Sequence, residues 1–84
     1  GTAMNTDIKT IKALPDFKLQ VELADGSRGV FDLRPHLGHP GMAALTDPAY
    51  FSRVTVLLGA ATWSGGEDIA PETLAAQLQS LQVA

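Results

Sequence analysis

The chain has no cysteine. Disulfides, a thiolate zinc site and a cysteine nucleophile are therefore excluded, and redox logic leaves the compartment open. Basic charge is also scarce: six Lys and Arg stand against nine Asp and Glu, for a net charge of −3. Lys9, Lys12, Lys18, Arg28, Arg34 and Arg53 are dispersed. A nucleic-acid binder usually shows a concentrated basic footprint, so direct binding of nucleic acid is not expected. No apolar run approaches the ~20 residues that span a bilayer, and no signal peptide is visible. A soluble cytoplasmic protein without a membrane partner is the expectation. At 84 residues the chain has room for one domain, residues 4–84. Gly1-Thr2-Ala3 before Met4 reads as an expression scar. A domain this small buries only ~60–65% of the surface its unfolded chain exposes, so association would add usefully to its stability.

What is present begins with a hairpin, Phe17 to Leu33, folded about Asp25-Gly26. Phe17, Leu19, Val21 and Leu23 alternate with Lys18, Gln20, Glu22 and Ala24, as a half-buried strand requires. Gly29, Phe31 and Leu33 alternate with Arg28, Val30 and Asp32. A two-residue loop would set Leu19 opposite Asp32 and mix the faces, since a one-residue slip carries every side chain across the sheet. A three-residue loop, Ala24-Asp25-Gly26, sets Leu19 opposite Phe31 and Val21 opposite Gly29. It also sets Lys18 against Asp32 and Glu22 against Arg28. Shifting the loop to Asp25-Gly26-Ser27 keeps the apolar faces aligned but loses the Glu22–Arg28 pair. The loop starting at Ala24 is preferred, with Gly26 in the left-handed conformation.

Around the hairpin, Ile8 to Leu14 suits a first strand with imperfect alternation, turned by Pro15-Asp16. Pro35-His36-Leu37 and Met42 to Leu45 suit single helical turns. Asp47-Pro48 is a helix start, with Asp as N-cap and Pro at the first helical position. A short helix, Pro48 to Phe51, should turn Tyr50 or Phe51 inward. Arg53 to Leu58 is β-rich, Gly59-Ala60 can turn it, and Ala61 to Trp63 can return. Ser64-Gly65-Gly66 is a flexible loop. Ala70-Pro71-Glu72 opens a last helix whose stripe is Leu74, Leu78 and Leu81 with Ala75. The expected fold class is α+β in two layers. Three N-terminal strands and a later hairpin form an antiparallel sheet, with short helical segments and a C-terminal helix over one face.

The ordered pieces LADGSRGVFDL, LTDPAYF, Trp63-Ser64-Gly65-Gly66-Glu67-Asp68-Ile69 and Ala70-Pro71-Glu72-Thr73-Leu74 resemble the small bacterial family called domain of unknown function 2442 (DUF2442). The resemblance covers about Ile8 to Leu78. The chain departs from the family pattern at Ser64, where a Pro commonly follows the Trp. It departs again at Leu57-Leu58-Gly59-Ala60, where a polar turn is usual, and at Ala75, where an aromatic is common. The resemblance implies no reaction. It implies a partner-binding module, since relatives look fused to helix-turn-helix domains or paired with small proteins in toxin–antitoxin-like pairs.

Chemistry-bearing residues are few. His36 and His39 near Asp32 could ligate a metal, but the spacing lies over a Gly/Pro loop and fixes no third ligand, so solvated loop histidines are preferred. Asp32, His36 and one of Ser27, Ser52 or Ser64 can be assembled into a triad on paper. No strained nucleophile elbow supports it. Glu67 and Asp68 are adjacent and should point opposite ways in extended chain, with Asp68 capping the turn before the helix. Ser64-Gly65-Gly66 is too short for a phosphate loop and lacks the following Lys. Trp63, the only Trp, is first a core or core-edge residue and second an interface anchor.

The anomaly is Val54 to Ala61, apolar on both faces and through its turn. A fully buried strand is one reading. In so small a domain, contact of Leu57, Leu58, Ala60 and Trp63 with a partner or second copy is the other. The expectation is a non-enzymatic interaction module with no cofactor and no metal, a homodimer or the partner of a small cognate protein. Two alternatives stand beside it: an accessory domain of a helix-turn-helix regulator, and a small-ligand domain around Trp63, Glu67 and Asp68.

Overall fold

The alternation of Lys18 to Leu23 and Arg28 to Asp32 is realised as two antiparallel strands in the expected register. The structure, a computed structural model, describes residues 7–80. The expected scar and Leu81 of the helical stripe lie outside them. Strand β1 (Ile8–Leu14) pairs with β2 (Lys18–Leu23), and β2 with β3 (Arg28–Asp32). Across β2 and β3, Lys18 faces Asp32, Leu19 faces Phe31, Val21 faces Gly29 and Glu22 faces Arg28. The loop is Ala24-Asp25-Gly26: Leu23 donates its N–H to the Ser27 carbonyl at 2.8 Å, and Gly26 has φ of 92°. Asp25 stiffens it by accepting from the Ser27 N–H at 2.8 Å.

The imperfect alternation of β1 has a local cause. The β1–β2 register shifts between Ile8 and Thr10, a bulge at Lys9. One extra residue lets Ile8 and Ile11, three apart, both turn toward the core. Strand β2 begins one residue later than the sequence suggests. Pro15–Phe17 form a single 3-10 turn in which Asp16 (φ 65°) and Phe17 (φ 58°) are left-handed. Phe17 still accepts from the Leu33 N–H at 3.0 Å, which keeps the expected Phe17–Leu33 pairing at the hairpin mouth.

After β3 the chain makes 3-10 turns at Arg34–His36 and Ala43–Thr46, then helix α1 (Pro48–Phe51). Asp47 caps α1 by accepting from the Ala49 N–H at 3.0 Å. Phe51 is the buried aromatic of that helix and Tyr50 is half-buried. The later hairpin does not join the first sheet. Strands β4 (Thr55–Leu57), β5 (Ala60–Thr62) and β6 (Asp68–Ile69) make a separate three-stranded sheet in that order. Helix α2 (Pro71–Gln77) follows.

The last helix is shorter than its stripe. Leu74 is buried in the core and Ala75 and Leu78 are half-buried, but the helix ends at Gln77. Leu78 is extended (φ −72°, ψ 127°), and the chain continues into β7 (Gln79–Ser80), paired with β3 at Gly29 and Val30. The first sheet thus has the order β1-β2-β3-β7. The backbone groups at the β3 edge outweigh one more turn of helix. One core cluster joins both sheets and the helices: Leu19, Val21, Leu23, Phe31 and Leu33 meet Leu45, Phe51, Ala61, Trp63, Ile69 and Leu74. The fold is a small α+β domain.

Candidate functional site

The apolar segment Val54 to Ala61 is not a fully buried strand. Its outward side chains are in water: Leu57 is 60% exposed and Leu58 is 92% exposed. Among the described residues these are the exposed large hydrophobics. The register explains Leu57. Thr55 faces Thr62 and Leu57 faces Ala60, so these four share the outer face, while Val56 and Ala61 turn inward. On the outer face Thr55 and Thr62 place their Oγ1 atoms 3.2 Å apart.

Leu58 has a different cause. The turn lies one residue earlier than Gly59-Ala60: Leu57 pairs with Ala60, leaving Leu58-Gly59 as a two-residue loop. Leu58 has φ of 52° and Gly59 of 80°, the two positive values a type I′ turn demands. Asn or Gly is the usual first residue there, because a Cβ is crowded in the left-handed conformation. The chain instead holds a bulky apolar residue in a strained conformation and in solvent. The tip is docked on its own fold from behind. Ile8 donates its N–H to the Gly59 carbonyl at 2.9 Å, and a Cβ on Gly59 would come within 2.6 Å of the Asp7 carboxyl carbon.

Beside the tip, the outer face dips into an open concavity of about 570 Å³. Its lining includes Arg53, Thr55, Leu57, Thr62, Ser64 and Asp68. Trp63 also borders it. It is only 3% exposed, it stacks near Phe51 with ring centroids 6.2 Å apart, and its Nε1–H donates to the Phe51 carbonyl at 3.0 Å. Trp63 is therefore a core-edge residue whose polar group is satisfied. Of the four residues expected at an interface, the structure presents Leu57 and Leu58 openly and Ala60 partly, and encloses Trp63.

The loop after Trp63 is an ordered turn. Trp63 donates to the Glu67 carbonyl and Gly66 to the Trp63 carbonyl, each at 3.0 Å, with Gly66 at φ 99°. It repeats the geometry of the Leu23–Ser27 loop. Tyr50 clamps it: the phenol donates to Glu67 Oε1 at 2.5 Å and accepts from the Gly65 N–H at 2.7 Å. Gly65 is needed for space, since a Cβ would come within 2.6 Å of the Tyr50 hydroxyl. Glu67 and Asp68 both border the concavity, but their surroundings differ. Glu67 is half-buried on Tyr50 and Asp68 is exposed. Asp68 does not cap α2, whose N-cap position is Ala70 and which has no side-chain cap.

The other sequence candidates are scattered and engaged. Asp32 binds Arg34, not Lys18: the guanidinium reaches it at 2.8 Å and the Arg34 N–H at 3.0 Å. Those bonds hold the Asp32 carboxyl down to about 2. Glu22 lies 4.0 Å from Lys9 across β1, not against Arg28. His36 stacks on Phe31, with ring centroids 5.4 Å apart, and its Nε2 lies 2.8 Å from Gln77 Oε1. His39 meets His36 edge-on at 5.3 Å. Ser52 donates its hydroxyl to the Ala49 carbonyl at 2.7 Å. The Tyr50–Glu67 pair was not anticipated from the sequence. The two residues lie 17 apart, with no motif joining them.

No helix among the described residues is long and apolar enough to cross a membrane. No curated protein and no solved structure matches the chain. A family model described as protein of unknown function (DUF2442) matches residues 8–80, nearly the whole chain. With the ordered motifs and the α+β fold agreeing, the chain belongs to the DUF2442 family.

Proposed function

We propose that the chain is a non-enzymatic protein-interaction module whose contact surface is the β4–β5 hairpin tip and the outer face behind it. The observation that carries this reading is Leu58, which is 92% exposed at φ 52°. An apolar side chain in water gains nothing from burial, and a non-Gly residue in the left-handed region costs roughly 1–2 kcal/mol. Neither term favours the isolated fold, and both are offset if the tip is covered by another protein. The partner is a small cognate protein, as in a toxin–antitoxin-like pair, or a second copy, met in the cytoplasm.

A small-ligand reading around Trp63, Glu67 and Asp68 has less support. Trp63 is enclosed, and the Glu67 carboxylate is already hydrogen-bonded by Tyr50. A role as accessory domain of a helix-turn-helix regulator stays compatible with the same surface, through protein contact. The test is affinity capture from source cells with wild type and Leu58→Asp. The expected result is a partner held by wild type and lost by the variant. Identical protein sets on both baits would refute the hairpin as the contact surface.

A further inference from the structure

We propose that the Asp25-Gly26 peptide is a covalent modification site, where the main chain isomerises to isoaspartate when the β2–β3 hairpin opens and is guarded while it is closed. The site is independent of the interaction surface above. In the first step the Gly26 amide nitrogen attacks Asp25 Cγ. An N–Cγ bond forms, and the carboxyl OH and the amide hydrogen leave as water. The product is a five-membered succinimide. Water then adds to one of its two carbonyls. Opening at Cγ restores aspartate, whereas opening at the α-carbonyl leaves a main chain that runs through Cβ and Cγ. Water is lost and regained, so the net change is an isomerisation that needs no other reactant.

The sequence singles out this aspartate. The other five precede Ile8, Phe17, Leu33, Pro48 and Ile69. A bulky following side chain crowds the attacking nitrogen, and proline has no N–H to give up. Gly26 imposes neither limit. Asp25 and Gly26 are both exposed, and nothing lies within 4 Å of a Cβ built on Gly26.

The folded loop holds the reacting groups back with three hydrogen bonds. Gly26 donates its N–H to the Leu23 carbonyl at 3.0 Å, which commits the nucleophile. Asp25 Oδ1 accepts from the Ser27 N–H at 2.8 Å, which anchors the electrophile two residues along. The same bond holds the Asp25 carboxyl below its ordinary pKa, and the carboxylate is a poorer electrophile than the acid. Leu23 closes the loop around both by donating to the Ser27 carbonyl at 2.8 Å. All three bonds are lost when the hairpin opens, so the rate reports how often it opens. The product cannot close the same loop. An added main-chain carbon between Leu23 and Ser27 disturbs the three-residue turn that sets Leu19 opposite Phe31 and Val21 opposite Gly29. Isomerisation therefore loosens the hairpin that admitted it.

The test is prolonged incubation of the whole chain at neutral pH, in native buffer and in unfolding guanidinium chloride. Isoaspartate is located and counted by mass spectrometry with electron-transfer fragmentation. It should accumulate at Asp25 in the unfolded chain ahead of every other aspartate, and at least about tenfold more slowly in the native chain. Guanidinium below the unfolding midpoint should raise the native rate in step with hydrogen exchange of the Leu23 amide. The purified isoaspartate chain should unfold at a lower denaturant concentration than the unmodified one. Equal rates in the native and unfolded chains overturn the guard. An unfolded chain that forms no isoaspartate at Asp25 overturns the site, and an isoaspartate chain of unchanged midpoint overturns the effect on the hairpin.

Discussion

Replacing Leu58 by Asn should make the isolated domain more stable while removing its contact. The magnitude follows from two terms. Leu58 sits at φ 52°, where a non-Gly residue loses roughly 1–2 kcal/mol, and Asn is among the residues that tolerate that region best. The burial lost with the leucine is small. At 92% exposure it keeps less than a tenth of the ~2 kcal/mol that a fully buried Leu would contribute. The net gain should be about 0.5–1 kcal/mol, a rise in melting temperature of roughly 2–8 °C for a domain of this size. The assay is thermal unfolding by circular dichroism at ~2 µM, dilute enough that association adds little stability by mass action. With the partner in excess the ordering should narrow or reverse, because only wild type gains from association. A loss of more than about 0.5 kcal/mol at the dilute end would show that Leu58 packs on its own chain in solution. The argument from strain and exposure would then fail.

Three further perturbations probe the scaffold beneath that surface. Tyr50→Phe removes both bonds of the clamp on the Trp63–Glu67 turn and should lower stability by about 1–3 kcal/mol in urea unfolding followed through Trp63 fluorescence. Gly65→Ala, which drives a Cβ into the phenol, should cost a similar amount alone and clearly less in the Tyr50→Phe background; additive losses would mean the clamp is not what Gly65 accommodates. Gly26→Val has open space around it, so its loss of roughly 1–3 kcal/mol should come from the backbone alone; an unchanged melt would refute the three-residue loop. Asp32 titrates at about 2 when folded, below its unfolded value near ~3.9. The stability from its Arg34 pair is therefore present above about pH 4 and lost as pH falls toward 2. Arg34→Ala should return the Asp32 midpoint toward ~3.9 by NMR, and an unmoved midpoint would assign the depression to another group.

The hairpin register was legible from alternation and charge together. Alternation excludes the two-residue loop, and the Glu22–Arg28 opposition selects the loop at Ala24 over Asp25-Gly26-Ser27, which would set Leu19 opposite Leu33 instead of Phe31. The charge partners were less legible, since a side chain takes the nearest good geometry. Arg34, two residues from Asp32, can chelate its carboxylate and its N–H can bond to it as well, which Lys18 across the strand cannot match. Strands β6 and β7 are two residues each and too short to leave a pattern. The stripe Leu74, Leu78 cannot distinguish a helix that continues from one that yields its last residues to the β3 edge. The candidate surface was visible as an anomaly, a segment apolar on both faces. That Leu58, and not Ala60, takes the turn was not visible. Turn chemistry argues against Leu at positive φ, and the departure from that rule is what marks the residue.

The most direct measurement on the tip face is a series of amide NMR spectra, recorded as the captured partner is added or, where capture returns the chain itself, as it is concentrated from about 20 µM to about 1 mM. The expected result is shifts confined to Arg53 to Ser64 and Asp68, with the outer face of β1–β2–β3 unmoved. Shifts centred on that larger sheet, or none across the whole range, would contradict contact through Leu57 and Leu58.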